Sequence, residues 1–252
     1  MRPVFRALGP RRGRQGPAST LHEHPARDWN DHRDHGVRFA PHPLRQTCSK
    51  GQPVFEVRIH GRGGQGVVTA AELLSVAGFI EGLWAQAIPS FGSERMGAPV
   101  VSFCRLNDHE IRAREPITTP DAVVIQDPTL LHQVRVFEGL SPTGYVLINS
   151  TRSPDQLGIE DFLRSLPPGH ARTLAATDLA LRHVGRPVPN AVLLAGLCAI
   201  TGALRLDSVE AAIRQKFRGD VGERNVAAAR EAYSLCKASG PEQKVVSHAQ
   251  AV

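Results

Sequence analysis

The sequence predicts an α/β protein, a Rossmann-like layered fold with a largely parallel sheet and a helical C-terminal part. Three observations carry this. Apolar runs of strand length alternate with helical patterns between Val54 and Val184, the order expected of strands joined by crossover helices. The first strand ends in a cluster of glycines that opens a helix. From Asn190 onwards the pattern is helical alone. With 252 residues, 41% of them hydrophobic, the chain can bury one sizeable core.

Residues 1–52 are rich in Arg, Pro, His and Gly and show no apolar periodicity, so they are expected to be a disordered basic tail. Their five histidines between His22 and His42 are spread among prolines and charges, as in a polar tail. Five Arg and no acid among the first twenty residues also suit a transit peptide. The plainer readings are a solvated tail, or upstream sequence translated from a start chosen too early. The domain itself spans 53–240, and 241–252 is expected to be a flexible C-terminal tail.

Within the domain, Val54 to Ile59 reads as a strand and Gly66 to Glu81 as a helix. Leu83 to Ile88 reads as a second strand, followed by a loop from Pro89 to Ala98. Val100 to Leu106 and Glu110 to Ala113 suggest a hairpin turning at Asn107–Asp108. Ala122 to Gln126 and Tyr145 to Asn149 are continuous apolar runs of the buried, parallel kind. Pro128 at a helix N1 position opens a helix to Val136. Pro154 to Leu166 reads as helix, Arg172 to Ala175 as a short strand, and Thr177 to Val184 as helix. Asn190 can cap a helix to Leu204. Asp207 with Glu210 has capping-box spacing for a helix to Phe217. A final helix runs from Gly222 to Ala238, with Val226, Ala229, Tyr233 and Cys236 on one face.

Charge location narrows the function. The net charge is +6, but residues 1–52 hold ten Lys/Arg and four acids, so the remaining chain is neutral. A nucleic-acid-binding domain carries its positive charge on the fold; none is expected here. No run approaches the ~20 apolar residues of a membrane span. The four cysteines include no C-x-x-C pair, which removes the local spacing of a zinc or iron–sulfur site. Cys104 and Cys198 lie in apolar stretches and should pack as small hydrophobes. With no secretory h-region, the chain is expected to be cytoplasmic with reduced thiols.

The glycine loop is the first candidate site. Gly61, Gly63 and Gly66 have G-x-G-x-x-G spacing, with Gly64 a fourth glycine in six residues. Such a loop lets another group approach the backbone, and its free amides and the following helix dipole favour an anion. A nicotinamide site needs an acid at the end of the second strand, and here that strand ends Ile88-Pro89-Ser90. Gly66 is followed by Val67-Val68 and not by Lys-Ser/Thr, so the loop is not a Walker motif either. The loop from Pro89 to Ala98 supplies Ser90, Glu94 and Arg95, with Phe91 and Met96 suited to a contact surface.

Five stretches occur in order and at fitting distances: GRGGQGVVTAAELL, AIPSFGSERMGAPV, AVVIQDPTLL, YVLINS and KFRGDVGERNVAAAREAY. Together they resemble the gamma subunit, or gamma domain, of the 2-oxoacid:ferredoxin oxidoreductases, a family that includes the pyruvate, 2-ketoisovalerate and 2-oxoglutarate enzymes. The resemblance covers Val54 to Gly240. It implies a subunit of a complex that oxidatively decarboxylates a 2-oxoacid to an acyl-CoA, inactive alone. Alpha and beta subunits, and delta where present, would be its partners, and ferredoxin the electron acceptor. Thiamine diphosphate, Mg2+ and [4Fe-4S] clusters would sit on those partners, since this chain lacks both cluster spacing and the G-D-G…N-N thiamine signature. Coenzyme A would be held here, by Gly61, Arg62, Gly63, Gly64, Gln65 and Gly66, with Arg62 and the glycine amides on its phosphates. Gln65 is either a hydrogen-bond donor or a helix-start residue. Ser90, Glu94 and Arg95 would face the substrate or a neighbouring subunit, an interface role being favoured over proton transfer. Asn149 and Asn190 can each face the same crevice, or serve as turn and cap. No general acid or base is assigned. Two alternatives stand beside this: a stand-alone nucleotide-binding Rossmann-type oxidoreductase domain, and a purely structural assembly subunit.

Overall fold

The computed structural model describes residues 54–89 and 96–238. The two tails and the predicted site residues Ser90, Glu94 and Arg95 lie outside them. Six strands form one sheet: β1 (Phe55–Arg62), β2 (Trp84–Pro89), β3 (Pro99–Asn107), β4 (Ala122–Ile125), β5 (Tyr145–Asn149) and β6 (Ala171–Leu174). Their order is β2-β3-β1-β4-β5-β6. β1, β4, β5 and β6 run parallel, with Val57 opposite Ala122, Ala122 opposite Tyr145 and Val146 opposite Ala171. β3 is antiparallel to both neighbours.

The helices are α1 (Val67–Ile80), α2 (Glu160–Arg164), α3 (Ala176–Val184), α4 (Asn190–Thr201), α5 (Leu206–Lys216) and α6 (Asp220–Ala238). Strand residues alternate between two faces. Val57, Ile59, Val124 and Leu147 face α1 and α4 through Leu73, Leu74, Leu193 and Leu197. Val123, Ile125, Val146 and Ile148 face a second core with Leu130, Val136, Leu157 and Leu163. There Phe137 and Phe162 stack at 4.3 Å. α4 is buried from Asn190 to Ala199 because it is apolar all round. At its centre Gly196 lets the helix close on Leu147, Leu174 and Cys236, each within 3.2 Å of where a Cβ would stand.

Several predicted elements are corrected. Glu110–Ala113 is not a strand; both edges of β3 are taken, by β1 and β2. The Pro128 helix is a single 3-10 turn ending at His132. Beyond it Val136 turns into the core and Arg58 takes the carbonyls of Val136 and Glu138 at 3.0 and 2.5 Å. Pro154–Leu166 contains only the short α2, with Gly158 at φ +69° before it. Asn190 is the first helical residue and Pro189 the cap. α4 stops at Thr201 because Gly202 turns left-handed at φ +66°. The Asp207–Glu210 capping box does not form. Arg205 caps α5, and the Glu210 carboxylate instead receives Arg230 through two nitrogens at 2.6 and 2.7 Å. α6 starts two residues early, at Asp220.

Among the described residues no helix is long and apolar enough to cross a membrane.

Candidate functional site

The connection after β1 crosses one face of the sheet as α1, while that after β4 packs into the core on the other face. The crevice between the carboxyl ends of β1 and β4 is therefore the switch point at which open α/β sheets bind ligands. The glycine loop forms one side of it. Gly61 belongs to β1, and a Cβ there would stand 2.6 Å from Val67 Cγ2. Gly64 and Gly66 have φ of +94° and +74°, conformations that cost other residues roughly 1–2 kcal/mol. A Cβ on Gly66 would also lie 2.7 Å from Asn190 Nδ2. Asn190 thus does abut the loop.

The other side of the crevice is Gln126-Asp127-Pro128-Thr129. Asp127 was not singled out from the sequence, yet it organises the loop. Its Oδ2 accepts from Arg62 Nε at 3.1 Å and from Gln65 Nε2 at 2.9 Å. Its Oδ1 accepts from the amide and hydroxyl of Thr129 at 3.0 and 2.5 Å. Partial burial pushes this carboxyl up; the bonds from Thr129 and Gln65 and the charge of Arg62 outweigh it and hold it below the ordinary range. Gln65 closes a ring by accepting the Arg62 amide at 2.7 Å. It is a brace within the loop, serving as donor and acceptor at once. Arg62 puts three of its other four donors on Gly97 O, Thr129 Oγ1 and Gln133 Oε1, at 3.0, 2.7 and 2.9 Å. The sequence offered Pro128 only as the start of a helix, and nothing there linked Asp127 to Arg62.

The loop amides divide into two sets. Gly63 N–H bonds Ala98 O at 2.9 Å and its carbonyl accepts from Gly97 N–H at 3.1 Å, while Gln65 N–H bonds Arg62 O at 3.0 Å. No hydrogen bond to a described residue engages the amides of Gly64, Gly66, Val67, Val68 or Thr69. A pocket of about 390 Å³ opens at this place, lined by Arg62, Gly63, Gly64 and Gly66 together with Val67, Val68, Met96 and Val100. Beneath the loop Gln126 is 1% exposed, and neither atom of its amide has a partner among the described residues. Asn149 lies further along the edge, its Nδ2 donating to Gln126 O and Thr177 Oγ1, both at 2.8 Å.

Nicotinamide chemistry gains nothing from this geometry. The second strand in sequence, β2, is separated from β1 by β3, and the acid beyond β1's parallel neighbour β4, Asp127, already has both oxygens engaged by Arg62, Gln65 and Thr129. Among the described residues no three His, Cys, Asp or Glu side chains gather as a metal site. Burial pushes the thiols of Cys104 and Cys198 far above their ordinary range.

The fold and loop define an α/β domain with a glycine-and-helix cradle for an anion, without the lysine of a P-loop or the acid of a dinucleotide site. The chain belongs to the pyruvate ferredoxin/flavodoxin oxidoreductase family, whose model matches residues 56–235. It is 44% identical over 180 residues to the pyruvate/ketoisovalerate oxidoreductases common subunit gamma of Pyrococcus abyssi, covering 71% of this chain and 96% of that protein. Its fold matches the crystal structure of pyruvate oxidoreductase subunit PORC from Thermotoga maritima with a TM-score of 0.62 and 33% identity, over 73% of this chain and 97% of that one. The 2-oxoglutarate:ferredoxin oxidoreductase of Magnetococcus marinus, solved with 2-oxoglutarate, coenzyme A and succinyl-CoA bound, shares the fold alone. There the TM-score is 0.59 and the identity 15%, over 76% of this chain and 32% of that one. The family matched is the one that the five ordered motifs resemble, and the chain is a gamma-type domain of it.

Proposed function

We propose that the chain acts as the gamma subunit of a cytoplasmic 2-oxoacid:ferredoxin oxidoreductase and holds the phosphate end of coenzyme A on the loop between Gly63 and Thr69. Coenzyme A supplies the thiol that takes up the acyl group. Thiamine diphosphate, Mg2+ and the iron–sulfur clusters belong to the alpha, beta and delta partners, and ferredoxin takes the electrons. The tails 1–52 and 241–252 lie outside this machinery, and Ser90, Glu94 and Arg95 face a partner subunit.

The observation that carries the loop assignment is a contrast between helix starts. Three helices begin near the carboxyl edge of the sheet. In α3 the Thr177 amide is taken by Asn149 Oδ1 at 3.1 Å. In α4 the Ala191 amide is taken by Asn190 Oδ1 at 2.8 Å. Only α1, among the described residues, has no side chain on its first amides and no acid in its first turn. Open amides at a helix start attract phosphate, and the valines and Met96 beside them suit the apolar arm of the same ligand.

The test is single-turnover spectroscopy of the assembled complex carrying Gly64→Ala. The substitution strains a loop residue at positive φ, next to the proposed phosphate. Decarboxylation of the 2-oxoacid should proceed at the native rate, while the coenzyme-A-dependent step slows about tenfold, the loss of one hydrogen bond to a charged group. Equal slowing of both steps would make the loop a structural support. A changed affinity for a nicotinamide nucleotide alone would favour a Rossmann-type oxidoreductase domain.

A further inference from the structure

We propose that Asp127 is the positioning residue of the glycine loop and that Arg62 is its counter-charge, not a ligand of the bound anion. The inference rests on the assignment of a phosphate to this loop, but its evidence is separate.

The Asp127 carboxylate is saturated, two donors on each oxygen. It sits at the tip of β4, tied directly to two residues of the loop that would receive a phosphate. A carboxylate there repels a second anion unless a cation cancels it. Arg62 does so, as an ion pair with both side chains mostly shielded from solvent. The guanidinium fork gives four hydrogen bonds to the protein. Its geometry is rigid and planar, so serving these acceptors fixes its direction. The four acceptors stitch three segments together: the end of β1, the Gly97 turn, and the 3-10 turn after β4. Gln65 adds the inner strap, one amide atom on the Arg62 backbone and the other on Asp127.

This ring has a consequence for the backbone. Pulling Gln65 inward fixes the residues on either side, and these are Gly64 and Gly66, the two with positive φ. Their amides are the ones left open. The anion is then held by neutral N–H groups and a helix dipole, while the charged pair behind them sums to zero. Four of the five N–H donors of Arg62 are committed to the protein, so to grip a phosphate with two parallel bonds it would have to release at least one of these acceptors.

Two measurements decide this. The first is amide hydrogen exchange of the full-length chain, followed by mass spectrometry, which needs no ligand. Asp127→Asn and Arg62→Ala should each raise exchange across residues 61–69 about tenfold, with residues 145–149 and 190–201 unchanged; Arg62→Lys should restore part of the protection. The second is coenzyme A binding and turnover of the assembled complex. Arg62→Ala should raise the KM for coenzyme A at least tenfold with kcat largely kept. The double variant Arg62→Ala/Asp127→Asn, in which the stranded negative charge is gone but the loop has lost its brace, should bind coenzyme A about threefold better than Arg62→Ala while staying weaker than wild type. A double variant that binds no better than Arg62→Ala makes Arg62 a ligand and overturns the proposal, as does unchanged exchange over 61–69 in Asp127→Asn. Absence of coenzyme A binding in the wild-type complex, with the exchange response intact, refutes the coenzyme A assignment and leaves the positioning role standing.

Discussion

β1 and β5 lie in the same sheet, separated by one strand, yet their ends are built in opposite ways. β5 reads YVLIN and ends in a neutral clamp: Asn149 ties the β4 carbonyl at Gln126 to the start of α3 and consumes that helix's Thr177 amide. β1 reads FEVRIHGR and carries Arg58, His60 and Arg62. It ends in a charged clamp, which holds its loop from the side through Arg62 and Asp127 and leaves the amides of α1 uncovered. A neutral clamp closes a helix start, whereas a lateral charged clamp shapes one and keeps it open. It also makes the β1 end sensitive to charge, as the β5 end is not.

The largest expected effect tests that sensitivity. His60 is 7% exposed, and burial, then the charge of Arg58, hold its pKa down to about 4. The unfolded chain takes up the same proton near pH 6.5. Between these values the unfolded state binds more protons, so stability is full above pH 6.5 and is lost as pH falls towards 4, by about 3 kcal/mol. Urea unfolding between pH 4 and 8 should show this slope, and His60→Gln should flatten it. If the two slopes coincide, the acid sensitivity lies elsewhere than β1.

Next in size is Asn149→Ala. It strands the buried Gln126 carbonyl and the Thr177 amide, which should cost about 2–3 kcal/mol in urea unfolding. The KM for coenzyme A of the assembled complex should not move, because the open helix start is that of α1. A rise in KM would show that the two strand ends form one site.

The smallest effect comes from closing α1. Thr69→Asp puts a carboxylate on the open first turn. The fold should gain about 0.5 kcal/mol from the dipole, while the KM for coenzyme A rises on the order of threefold. Opposite signs in stability and binding are the signature sought; a gain in both would place the anion elsewhere.

The sequence announced some of this and concealed the rest for definite reasons. Alternation of strands and helices is local, and the apolar runs Ala122–Gln126 and Tyr145–Asn149 were legible because buried parallel strands have no polar face. The glycine loop was legible because glycine spacing records backbone geometry. The insertion of β3 between β1 and β2 was not, since pairing partners leave no mark in either strand alone. The 3-10 turn reads as a helix because Asp127 and Pro128 start both in the same way; the residues beyond it are held instead by Arg58, 78 and 80 positions earlier. Asp127 was hidden by a similar distance. Its partner Arg62 is 65 positions away, and the Asp-Pro-Thr local pattern already had a sufficient explanation as a helix start.

The placement of α1 also governs how the chain emerges during synthesis. β1, α1, β2 and β3 are consecutive and can assemble as soon as Asn107 is out. The apolar side of α1 that faces away from the sheet is covered by α4 and α5, which begin at Asn190. At the pace of a ribosome that interval is roughly 4–17 s. For all of it, Leu73, Leu74 and Ala77 belong to a helix whose two covering neighbours, α4 and α5, are not yet made. The nascent half-domain is therefore a client for whatever shields apolar surface near the exit tunnel, and the loop that follows β1 acquires its final support from Asn190 only when the last third of the chain arrives.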